Sequence, residues 1–188
     1  MRGLFATLPF VPADAAELRE VRDALERWDP AGAGSSAFLI FAMHNDLHPA
    51  IRVYLLGLLE LRLGDLAAAA EWLEELAEQE ASGPLVRNLT VELDAALAHA
   101  KGRTTEAVAR LERARPELWF QLTVASPFFT LASQRFLRAR LLEAVGRTRE
   151  AAGWYGAMAE RSPYELVYAR EALEGVERTE GRKDGRTE

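Results

Sequence analysis

The sequence predicts an all-α fold, a stack of about three helical hairpins between an N-terminal helix and a C-terminal capping helix. Three observations predict it. Apolar residues recur at spacings of three, four and seven, which is the period of one helix face. Single glycines, Gly64, Gly102 and Gly146, punctuate that pattern between neighbouring helices. The flanking stretches are rich in Ala, Leu and Glu, all strong helix formers.

Composition bounds the function. A chain of 188 residues suits one compact domain or a short repeat array, with length enough for a core. At 49% hydrophobic and 28% charged it has the composition of an ordinary globular protein. Its net charge of -6 disfavours broad attraction to nucleic acid or to an anionic membrane. It has no cysteine, which removes disulfides, thiol catalysis and thiolate zinc sites together.

Residues 1–12 hold an apolar patch, GLFATLPFV, broken by Pro9 and Pro12 and too short for a secretory leader. Residues 14–28 form a helix, because Asp14 and Glu17 match a capping box and Ala15, Leu18, Val21, Leu25 and Trp28 make an apolar stripe. Asp29 and Pro30 end it, and AGAGSS is a linker. Residues 37–43, AFLIFAM, are too short to span a bilayer and read as a short buried helix or extended cover. In the following HNDLH, His44, Asp46 and His48 are possible metal ligands. A polar loop leading to Pro49 at a helix start is the preferred reading, so no metal is expected.

Residues 50–81 are the clearest hairpin. Val53, Leu56, Gly57 and Leu63 share one face, with Tyr54, Leu58 and Leu61 on the next stripe. Gly64 closes the first helix and Asp65 offers an acceptor to cap the second. The second helix should bury Leu66, Ala69, Ala70, Leu73 and Leu76, antiparallel to the first. Gly57 inside a helix costs about 1 kcal/mol against alanine and implies close packing, here expected against Ala69.

A second copy starts at Ser82-Gly83-Pro84, with a first helix over 85–100, Gly102 as the turn and Thr104 or Thr105 as the next cap. Residues 117–125, ELWFQLTVA, are an insertion whose Trp119, Phe120 and Leu122 fill a gap beside the array or, as the alternative, form an exposed aromatic patch for a ligand. Ser126-Pro127 starts the third copy, with one long helix over 128–145, Gly146 as turn and a second helix through 161. Residues 164–176 form the cap, with Leu166, Tyr168, Ala169, Leu173 and Val176 as packing residues. Residues after 176 lack apolar content and are expected to be disordered. The predicted domains are therefore 1–48, an N-terminal helix and linker; 49–176, the repeats; and 177–188, a tail.

Leu56-Gly57, the Gly64-Asp65 turn, Ala69 and Leu73 resemble the tetratricopeptide repeat, whose pattern is W-x2-L-G-x2-Y, then A-x3-F, then P. Val53 stands for its Trp, Glu60 for its Tyr and Ala81 for its Pro. Ala107, Leu111 and Ala114, then Ala151 and Tyr155, repeat the second-helix positions. The turn glycines lie 38 and 44 residues apart, longer than the family's usual repeat of about 34. The resemblance implies a right-handed α-α superhelix. The stretches SPFFTLASQRFLRARLLEAVGRTREAAGWY and HPAIRVYLLGLL also resemble the C-terminal repeat regions of large bacterial signalling and regulatory proteins.

What the resemblance implies is a cytoplasmic, non-catalytic scaffold that binds a protein or peptide on its concave face. By position the groove residues are Tyr54, Leu58, Leu61, Arg62, Glu92, Ala96, His99, Phe136, Arg140 and Glu143. Arg135, Arg138, Arg140, Arg147 and Arg149 read as a solvated flank before they read as an anion groove. Glu71, Glu74, Glu75, Glu78 and Glu80 read as another solvated face. No nucleophile, base and orienting group recur at a catalytic spacing, and no Gly-rich phosphate loop is present, so neither an enzyme nor a cofactor is expected. The alternatives are a self-associating module that forms a homo-oligomer, a fragment of a larger regulator, and a metal or ligand sensor at His44 and His48.

Overall fold

The computed structural model describes residues 2–30, 46–114, 126–158 and 163–184. Within them the chain is all-helical and contains no strand. The helices are α1 (Arg2–Thr7), α2 (Ala15–Arg27), α3 (His48–Leu63), α4 (Leu66–Glu78), α5 (Pro84–Ala100), α6 (Thr104–Arg113), α7 (Ala132–Ala144), α8 (Thr148–Gly156) and α9 (Ala169–Asp184). Short 3-10 turns cover Glu80–Ser82, Pro127–Thr130 and Pro163–Tyr168. None of the described helices is long and apolar enough to cross a membrane. The expectations for residues 37–43, His44, Trp119, Phe120 and Leu122 fall outside the described residues.

Three turns are built alike. Gly64, Gly102 and Gly146 take φ of 83°, 77° and 80°, the left-handed region that glycine enters without steric cost. After each, the next N–H reaches back to the preceding helix: Asp65 N to Glu60 O, Arg103 N to Ala98 O and Arg147 N to Leu142 O, all 2.9 Å. That is the closing bond of a Schellman end, and it folds the following helix back on its predecessor. So α3 packs on α4, α5 on α6 and α7 on α8. The first helices also touch in series, α3 with α5 and α5 with α7, while α1 and α2 lie on α3.

The capping chemistry is partly as predicted. Asp14 accepts from Ala16 N and Glu17 N while Glu17 answers with a bond from Asp14 N, the complete capping box. Asp65 accepts from Ala67 N and Ala68 N. Thr104, however, is not a cap: Arg103 precedes the helix, and the Thr104 hydroxyl lies 3.0 Å from His99 Nδ1.

Four expectations change. Gly57 faces the next hairpin and not Ala69, because a Cβ built on it would lie 2.6 Å from Leu93 Cδ2. The missing side chain therefore lets α3 and α5 approach. The long third-copy helix is interrupted: Ser126 Oγ accepts from Phe128 N and Thr130 Oγ1 from Ala132 N, so side chains take bonds a helix would use. Leu131 sits between them at φ 48°, and burial to 3% exposure holds that unfavourable backbone.

The capping segment packs through Tyr168 and Ala172, while Leu166 and Leu173 are each 61% exposed. The tail expected to be disordered from 177 is helical through Asp184. Arg178 donates to both oxygens of Glu143 at 3.1 and 3.3 Å, and the buried Thr179 donates to Gly175 O at 2.8 Å. The Arg178–Glu143 contact ties this end to α7, in place of the apolar stripe whose absence suggested disorder.

Candidate binding site: an inner face and the cavity beneath it

The N-terminal patch lies across the first helices of the hairpins. Thr7 Oγ1 donates to Leu4 O at 2.7 Å, and after Pro9 the chain turns back with Val11 N on Leu8 O at 3.2 Å. Leu8 is buried in one cluster with Ala95 of α5 and Phe136 of α7. Phe10 meets Phe136 edge-on at 5.5 Å and Tyr168 at 5.6 Å. Arg62 of α3 fixes the backbone of this segment, donating to Ala6 O at 2.7 Å and to Val11 O at 3.0 Å.

That placement sorts the predicted groove residues. Tyr54, Glu92 and Phe136 are 1%, 2% and 5% exposed, so they are interior and not an open concave surface. Leu58 and Leu61 are half-buried against the first hairpin's core, and Ala96 is half-buried on α5. Arg62 is committed to the N-terminal carbonyls. His99 and Arg140 are exposed. Glu143 accepts from the Tyr155 hydroxyl at 2.9 Å and from Arg178, which directs it toward α8 and α9. The structure thus brings Tyr54 and Glu92 together, keeps Arg140 near enough to His99 that its charge, after burial, lowers the imidazole's pKa, and turns Glu143 toward α8 and α9.

The arginine cluster is likewise dispersed. Arg135 forms a buried ion pair with Glu165, Arg138 lies 4.5 Å over the Trp154 ring, and Arg147 bridges Glu112 and Glu150. Arg140 and Arg149 stay exposed, so the five do not converge on one anion site. His48 packs at 5.4 Å from the Trp28 ring, and no group of three metal-binding side chains exists among the described residues.

Beneath the N-terminal segment is a cavity of about 150 Å³. Leu4, Phe5 and Leu8 close one side, and Tyr54 from α3 with Leu89 and Glu92 from α5 form the floor. Phe128, Leu131 and Ser133 complete it with Tyr164 and Tyr168. The Tyr54 and Phe128 rings stand nearly perpendicular, at 84° with centroids 6.3 Å apart. Among the described residues the lining is apolar and aromatic apart from the Ser133 and tyrosine hydroxyls and Glu92, whose carboxyl is hydrogen-bonded by Ser133 and Tyr54.

Burial pushes the Glu92 carboxyl up from 4.5 to about 7, against the opposing pull of those two hydrogen bonds. Burial, then the nearby Glu92 charge, also raises the Tyr54 and Tyr168 phenols, so both stay neutral across the physiological range. None of the ion pairs among the described residues includes Glu92. The site can therefore hold a proton near neutrality or set one negative charge against an incoming cation.

One signal for Glu92 was present in the sequence. It falls three residues after Leu89 and seven after Leu85, on the apolar stripe of its helix, where an acid is out of place. Nothing comparable marks Ser133 or Phe128, which reach the site only through the interrupted helix at Leu131. No family model, no curated protein and no solved structure matches the chain.

Proposed function

We propose that this chain is a non-catalytic peptide-binding scaffold, an array of about three tetratricopeptide-like hairpins whose inner face takes a short apolar segment. The single observation that carries the reading is the fork from Arg62 to the carbonyls of Ala6 and Val11. Bonds to main-chain carbonyls hold a backbone without reading its side chains, while the contacts at Leu8 and Phe10 select apolar residues. The repeated turn geometry and the serial contacts of first helices support the superhelical reading.

In this reading residues 2–12 occupy the face in cis, and a partner carrying a similar apolar, proline-turned segment competes with them. Apparent affinity for the partner is then reduced by the fraction of chains whose own segment is docked. The test uses a labelled peptide of residues 2–12 and fluorescence anisotropy on the full chain. Phe10→Asp should loosen the resident segment and bind the peptide about tenfold tighter than the unaltered chain. Adding Arg62→Ala to that variant should abolish the gain. Equal, unmeasurable binding in all three would remove the proposal.

A further inference from the structure

The cavity under the N-terminal segment carries a ligand chemistry that the peptide-binding reading does not use. We propose that it binds a small organic ammonium ion, with Glu92 as counter-charge and Tyr54, Phe128 and Tyr168 as aromatic walls.

Volume sets the size of the occupant. A cavity of about 150 Å³ is the scale that accepts a benzene-sized guest, about five to seven heavy atoms. Charge sets its sign. Glu92 is 2% exposed, its hydrogen-bond partners are the neutral hydroxyls of Ser133 and Tyr54, and no cation among the described residues pairs with it. A carboxyl in that setting is unstable in its ionised form, and the missing favourable element is a positive charge.

The walls set its type. Aromatic rings present a negative face, and a desolvated cation within about 6 Å of a ring centroid is attracted to it. Tyr54, Phe128 and Tyr168 all line the cavity, and the Tyr54 and Phe128 rings pack edge-to-face at 84°, so rings at different inclinations border the space an alkylammonium group would fill. Hard metal cations are disfavoured because they need about six oxygen ligands, and among the described residues the lining offers a single carboxylate. Anions are opposed by Glu92 itself.

Access is consistent with this occupant. Phe5, Phe128 and Tyr164 line the cavity while retaining solvent exposure, so the mouth is lined by aromatic side chains. Because Leu4, Phe5 and Leu8 form one wall, occupation also braces the docked N-terminal segment. The two readings remain separable, since ligand affinity is measured on the unaltered chain with its own segment in place.

The experiment is calorimetric titration of the intact chain at about pH 8 with choline and with its uncharged carbon isostere, dimethylbutanol. The two probes share shape and differ in charge. We expect choline to bind in the millimolar range or tighter, and about tenfold or more tighter than the isostere. Glu92→Gln should erase that preference and leave the isostere's affinity unchanged. Equal binding of both probes by the unaltered chain would overturn the assignment, as would no heat from choline at about 10 mM. Because the choline–isostere comparison needs no variant, the outcome stands even if Glu92→Gln folds poorly.

Discussion

Glu92 should make the protein's stability fall as pH rises through neutrality, and Glu92→Gln should remove that fall. The carboxyl is raised from 4.5 to about 7 in the fold, so the folded chain keeps this proton over a range where the unfolded chain has lost it. The stabilisation is therefore complete below about pH 4.5 and is lost as pH climbs through about 7. At 1.36 kcal/mol per pH unit, the span from 4.5 to about 7 corresponds to roughly 3 kcal/mol.

The groups facing Glu92 do not blur the effect. They are Tyr54 from α3, Ser133 from α7 and Tyr168 from the 163–168 turn, and both phenols stay neutral because burial raises them. Urea unfolding of the two proteins at about pH 5 and about pH 8.5 isolates the contribution, since every other titrating group is common to both. Glutamine stays neutral throughout, so it should be gaining roughly 2–3 kcal/mol on the original chain between the two pH values. For a domain of this size that is about 5–10 °C in melting temperature. Parallel pH profiles would mean that Glu92 titrates as an ordinary exposed acid and that its burial here is wrong.

Two further outcomes concern packing. A Cβ on Gly175 would lie 2.6–2.8 Å from three ring atoms of Tyr155, a ring held by its hydroxyl on Glu143. Gly175→Ala should therefore destabilise by roughly 1–3 kcal/mol despite alanine's better helix propensity, and an unchanged melting temperature would show that the ring moves freely. Arg135 and Glu165 form an ion pair with side-chain exposures of 8% and 0%. Glu165→Leu alone should cost roughly 3–5 kcal/mol in urea unfolding, because it leaves the buried Arg135 charge uncompensated, and Arg135→Met added to it should restore much of the loss; equal instability of the double variant would show that the cost does not come from the charge left behind.

Much of the architecture was legible because its determinants are local. The turn glycines work through their own φ angles, and the Asp14 and Asp65 caps work through bonds two or three residues away. The same locality explains the misreadings. Sequence spacing at 128–145 shows an unbroken helix, yet Ser126 and Thr130 redirect backbone bonds and Leu131 turns left-handed. After 176 the pattern lacks apolar residues, yet the helix continues because Glu143, distant in sequence, receives Arg178.

By itself the sequence determined the helices, their hairpin turns and the apolar faces that pair them, since each depends on residues within about five positions. Tertiary structure alone decided that Arg62 holds the N-terminal backbone and that Tyr54 and Glu92 lie under a covered cavity. It also decided that Gly57 admits Leu93. The physical reason is range. Helical periodicity says which side of a helix is apolar, but which distant segment covers that side depends on how whole helices stack, and a carboxyl's proton affinity follows from what covers it.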